Sequence, residues 1–165
     1  MMNAKPVEKN FTDIDLSLTE KKPFRFGNDD NRVVYLNTAD MNLIKRAEEL
    51  LPKIGEIATK FGEDVAEAQE SKGKIDEDTI VNTYKDKLTE LDLEMRNLID
   101  ELFNAPVSAA AAPDGSMFDI FNGTFRYEII IDVVGQQFLD NIQSEIKKME
   151  SKLKQHTKKY TKGKK

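Results

Sequence analysis

Apolar residues recur at helical spacing over most of this chain. The most regular run is Ile80, Tyr84, Leu88, Leu91, Met95, Leu98 and Leu102, each three or four positions from the last. Such intervals place side chains on one helix face, and that stripe is stable in water only against another apolar surface. Two looser runs flank it: Ile44, Ala47, Leu51, Ile54, Ala58 and Phe61 before it, and Ile130, Val134, Phe138, Ile142, Ile146, Met149 and Leu153 after it. The spacing predicts three long helical segments near 39–70, 76–103 and 125–158. Asn37 and Thr38 offer a capping oxygen at the first start, with Asp40 at the positive end of its dipole, and Asp76 caps the second, with Glu77 and Asp78 in its first turn. Pro52 lacks an N–H and crowds the preceding turn, so the first helix is expected to kink or restart near Leu51. Gly135 costs about 1 kcal/mol inside the last helix and leaves room for another helix to approach. The stripe at 80–102 reads as an intramolecular core or as an oligomer seam. Lys85, Lys87, Glu90, Asp92, Glu94 and Arg96 around it suit a solvated outer face.

Elsewhere the period changes. Ile14, Leu16 and Leu18 alternate, Phe24 and Phe26 continue the parity, and Arg32–Leu36 is a second β-prone run beyond the polar turn Gly27–Asn31. A hairpin with Phe24–Phe26 facing Val33–Leu36 follows. Two strands alone are marginal in water, so it must lean on the helices or join a sheet in a neighbour. Residues 104–124 read as a loop with turn signals at Pro113-Asp114-Gly115 and Asn122-Gly123. Met117, Phe118, Ile120, Phe121 and Phe125 make it too apolar for a flexible linker, so it is expected to be ordered against the helices. Met117, Phe118, Phe121 and Phe125 either complete the core or remain exposed as partner anchors. The expected fold is mainly α: an N-terminal arm and β-hairpin over 1–36, then a helical domain over 37–157. That domain is an elongated bundle of three long segments, with an ordered aromatic loop before the last. A disordered basic tail is expected over 158–165.

Charge sharpens this picture. Residues 147–165 hold nine lysines against Glu150, a net of +8, whereas residues 1–146 hold 16 basic and 29 acidic residues, a net of −13. An acidic body with a basic end suggests head-to-tail contact between copies or an acidic partner for the tail, with Lys158 and Lys159 as candidate contacts. A solvated helix end is the plainer account, since lysine suits the negative end of the helix dipole. The apolar content of 39% and charged content of 33% favour an elongated helical form with much solvated surface. No stretch approaches the ~18 apolar residues of a membrane span, and Met1–Asn10 has no apolar signal-peptide core. A cytosolic site is the expectation.

Candidate chemistry is sparse. The chain has no cysteine, so disulfides and thiolate metal sites are excluded. His156, the single histidine, stands among lysines where a metal ligand needs acidic or imidazole neighbours. Asp29-Asp30-Asn31 and Asp76-Glu77-Asp78 lack the full ligand ladder of a calcium loop and read as a turn and a helix start. Asp114-Gly115-Ser116 needs only turn chemistry, and no phosphate-binding glycine loop or nucleophile elbow is present. The lysine tail could meet phosphates, but it has no arginine and the acidic body opposes a polyanion, so nucleic acid is disfavoured. No catalytic residue, metal, cofactor or small-molecule substrate is expected.

Three stretches carry a resemblance: Val34-Tyr35-Leu36-Asn37-Thr38-Ala39-Asp40-Met41; Ala112–Asp119 with Phe121-Asn122-Gly123 and Phe125-Arg126-Tyr127-Glu128; and His156-Thr157-Lys158-Lys159-Tyr160. Together they resemble a family of short proteins encoded among the tail genes of tailed phages and prophages of Gram-positive bacteria. The resemblance spans most of residues 24–160. It implies a non-enzymatic tail-assembly chaperone or minor tail component, working by protein–protein contacts in the host bacterial cytoplasm or within the virion. The implied partners are the major tail protein, the tape-measure protein, or further copies of the chain. A regulatory module that engages a host protein is the alternative.

Overall fold

The structure is a computed structural model that describes residues 10–13 and 21–161, with side chains to residue 158. The alternating Ile14, Leu16 and Leu18 lie outside the described residues. The protein is mainly helical. A two-stranded antiparallel hairpin, β1 (Lys22–Arg25) with β2 (Val33–Leu36), precedes two long helices, α1 (Asn42–Ser71) and α2 (Glu77–Phe103). A short helix α3 (Val107–Ala111), a miniature hairpin β3 (Ile120–Phe121) with β4 (Thr124–Phe125), and the long α4 (Arg126–Thr161) complete it.

The hairpin pairs Phe24 with Val34 and leans on the helices: Val34 and Leu36 are fully buried, and Lys22 Nζ donates to Asn141 Oδ1 of α4 at 3.0 Å. Arg32 fastens it to α3 by donating to the carbonyls of Ala110 (2.8 Å) and Ala111 (2.6 Å), which a five-residue helix leaves unpaired at its end. Arg46 does the same for α2. Its Nε donates to the Leu102 carbonyl at 2.9 Å, and its other nitrogen pairs with Asp40 at 2.7 Å.

Helix starts depart from the expected caps in detail. Asp40 accepts from the Asn42 amide at 3.0 Å, so α1 begins three residues later than the pattern places it. Asp76 precedes α2 without a side-chain bond to a backbone amide, and accepts only a long 3.5 Å bond from Thr79. The restart expected near Leu51 does not occur: α1 continues through Pro52. Pro52 and Glu48 are both exposed, so the carbonyl that loses its partner faces water. Nor is the segment 104–124 wholly a loop, because its alanine run forms α3 and its Asn-Gly turn closes a hairpin. Asn122 and Gly123 hold the positive φ values, 51° and 81°, that a two-residue hairpin turn demands. Finally, α4 runs to Thr161, past the 158 boundary set for a disordered tail, and residues 162–165 lie outside the described residues.

The core occupies the first half of α1, the second half of α2 and the first half of α4. Leu43, Leu50, Ile54 and Ile57 of α1 meet Leu91, Met95, Ile99, Leu102 and Phe103 of α2 and Ile130, Val134 and Phe138 of α4, and Ile142 is buried one turn further on. Beyond this zone the stripes continue without full cover. On α2, Ile80, Tyr84 and Leu88 are only half-buried, and on α4, Met149 and Leu153 are exposed. Phe61 of α1 touches Phe125 at the start of α4, whereas Phe103 at the end of α2 touches Phe138. So α4 runs alongside α2 in the same direction and leaves the core at the end opposite the α1–α2 turn.

Candidate interaction surfaces

The segment before α4 is held by charges on one face of α2. Asp92, Arg96 and Asp100 stand four residues apart, one helical turn each. Asp92 accepts from the Ser116 hydroxyl at 2.9 Å and the Met117 amide at 2.6 Å, and pairs with Arg96 at 2.8 Å. Arg96 also donates to the carbonyls of Gly115 and Ser108. Asp100 accepts from the Ser108 amide at 2.7 Å and its hydroxyl at 2.9 Å. Asp119 closes the segment on itself, accepting from the Ser116 amide at 3.0 Å and pairing with Arg126 at 3.2 Å. A β-carbon on Gly115 would press on the Arg126 guanidinium and the Asp119 carboxylate, so a larger residue there would displace that ion pair. The sequence pattern assigns Asp92 and Arg96 to a solvated outer face. Both are instead four-fifths buried beneath the loop. The missed signal is their spacing: opposite charges in register with the turn-rich segment.

This clamp separates the four apolar loop candidates. Met117 has no exposure and Phe118 is buried. The Phe118 ring stacks on Phe61 at 4.2 Å and meets Tyr127 edge-on at 5.8 Å. Phe125, half-buried, stacks on Tyr127 at 5.7 Å. Phe121 alone stays in solvent, 48% exposed, with the Arg126 guanidinium over its ring at 5.0 Å. Lys158 is exposed near the far end of α4, about 50 Å along the helix from Arg126 at 1.5 Å per residue. The side chain of Lys159 lies outside the described residues. The six candidates therefore do not form one site: two are core, one is at its edge, and Phe121 and Lys158 sit far apart.

A more continuous apolar surface lies elsewhere. The first turns of α1 and the middle of α4 flank a groove whose floor includes Leu43, Leu102 and Phe103. Its rims carry Ile44 (54% exposed), Leu51 and Leu139. Gly135 opens onto it, and an added β-carbon there would meet nothing within 4 Å. The room that glycine leaves is thus turned toward this groove. Asp40 and Arg46 brace the neighbouring end of α1. Burial pushes the Asp40 carboxyl upward, but the hydrogen bonds from Arg46 and Asn42 and the Arg46 charge outweigh it, so its pKa lies below the ordinary aspartate value.

Among the described residues no group of three or more histidine or acidic side chains is placed to hold a metal, and no helix is long and apolar enough to cross a membrane. No family model matches the chain, and no curated protein or solved structure is similar to it.

Proposed function

We propose that this protein is a non-enzymatic tail-assembly protein of a tailed phage or prophage, a chaperone or minor tail component that receives an apolar helix of the tape-measure protein. The observation that supports this reading is the groove between α1 and α4. Two helices form its walls, three exposed aliphatic side chains form its rims, and a glycine leaves its centre open. An amphipathic helix laid between them would complete a bundle, using anchors at three- and four-residue intervals. The motifs over Val34–Met41 and Ala112–Glu128, which resemble those of tail-region proteins, direct the reading to that partner class.

Co-expression with the tape-measure protein or the major tail protein encoded beside it, followed by affinity capture, tests the reading. The wild-type chain is expected to retain one of these baits in solution, and Ile44→Glu/Leu139→Glu to lose it. Both positions are solvent-exposed, so the substitutions should shift stability by only about 0.5 kcal/mol each. Capture of neither tail protein overturns the reading.

A further inference from the structure

The geometry points to head-to-tail self-association, in which the protruding end of α4 from one copy lies on the open face of the α1–α2 hairpin of the next. Both surfaces are unfinished in the same way. Near its turn the α1–α2 hairpin is only two helices thick, and it exposes an apolar strip of Val65, Ala68, Ile80, Val81, Tyr84 and Leu88. Val81 is 60% exposed. Past Ile142, the last core residue of α4, the same face carries Ile146, Met149 and Leu153 at intervals of four, three and four, with Met149 55% and Leu153 57% exposed. That is the spacing of a helix seated against two others.

Charge selects the occupant. Residues 63–88, which span the strip, hold eight acids against four lysines, a net of −4, and Asp64, Glu77 and Lys72 stand on its edge. Residues 143–161 hold six lysines against two acids. The apolar strip with a net acidic surround therefore matches an apolar seam with a basic border on the same chain. An α4–α4 pairing would instead set lysines against lysines. Because α4 leaves the core opposite the α1–α2 turn, the two faces cannot meet within one copy. The contact joins unlike surfaces, so it propagates from copy to copy or closes into a ring. These surfaces are distinct from the groove near Leu139, so the inference does not depend on the tail reading.

Sedimentation velocity on the full chain over a dilution series tests it. Met149→Asp/Leu153→Asp disables the α4 face, and Val81→Lys/Glu77→Lys disables the hairpin face; all four positions are exposed. The wild type should gain mass with concentration and dissociate on the order of tenfold more readily when salt rises from about 0.05 to about 0.5 M. Lys152→Glu/Lys154→Glu, which alters only charge, should weaken association at low salt to a similar degree. Each face-disabled variant alone should remain monomeric, while an equimolar mixture forms a 1:1 dimer and nothing larger, since each supplies the face the other lacks. Association of the hairpin variant by itself would overturn the inference in favour of α4–α4 pairing. A monomeric mixture, or a wild type monomeric throughout, would equally overturn it.

Discussion

Asp92 lies four-fifths buried between α2 and the segment that precedes α4. Its carboxylate satisfies a hydroxyl, an amide and a guanidinium, all partly screened from water. Asp92→Ala is expected to cost about 2–4 kcal/mol in urea unfolding, because it strands those donors and an arginine. Asp119→Ala, at a more exposed site, should cost about 1 kcal/mol. The aromatics divide similarly: Phe118→Ala should cost about 3–5 kcal/mol and Phe121→Ala less than about 1 kcal/mol. Asp40 offers a pH readout. Its folded pKa is lowered, so the stability it contributes is full well above the ordinary value of 3.8 and is lost as pH falls through the lowered one. The stability gap between wild type and Asp40→Asn should be widest near neutrality, at about 1–2 kcal/mol, and should close on acidification below that value. At this scale the sequence is least legible. Composition cannot say whether Asp92 faces water or a loop 25 residues away, nor that Arg32, Arg46 and Arg96 each serve carbonyls at helix ends or turns.

Elements were easier to read. The three- and four-residue intervals name the long helices to within a few residues, and the Phe24/Val34 hairpin follows from alternation and its turn. What period cannot give is the partner. The α2 stripe looks uniform from Ile80 to Leu102, yet α4 covers only its second half, so it is core at one end and open at the other. The core reading therefore holds for the second half of the stripe, and its first half is left partly open. For a related reason Pro52 does not end α1: the carbonyl that loses its partner lies on a wet face, where water can satisfy it. Pro52→Ala restores an N–H to the Glu48 carbonyl and should raise stability by about 1 kcal/mol or more, measured by the midpoint of thermal unfolding.

The whole molecule is a compact centre with a helical extension at each end. Amide exchange should follow that plan. Protection should be greatest over Leu43–Ile57, Leu91–Phe103 and Tyr127–Ile142, and should fall both toward the α1–α2 turn and beyond Ile146. Conditions that favour self-association should raise protection in both extensions together and leave the centre unchanged. The tie between Lys22 and Asn141 spans 119 residues of chain, and the N-terminal hairpin rests on both α3 and the final helix. A nascent chain can therefore zip α1 onto α2 early, from local contacts, and tie the hairpin to α3, but the hairpin is fully seated only once the first half of α4 has been synthesised. During synthesis the apolar faces of Leu43–Ile57 and Leu91–Phe103 stay open to whatever reaches them first. Folding should thus show a fast local phase and a later, concerted closure, and any chain that ends before Val134 should gain helix without gaining a cooperative transition.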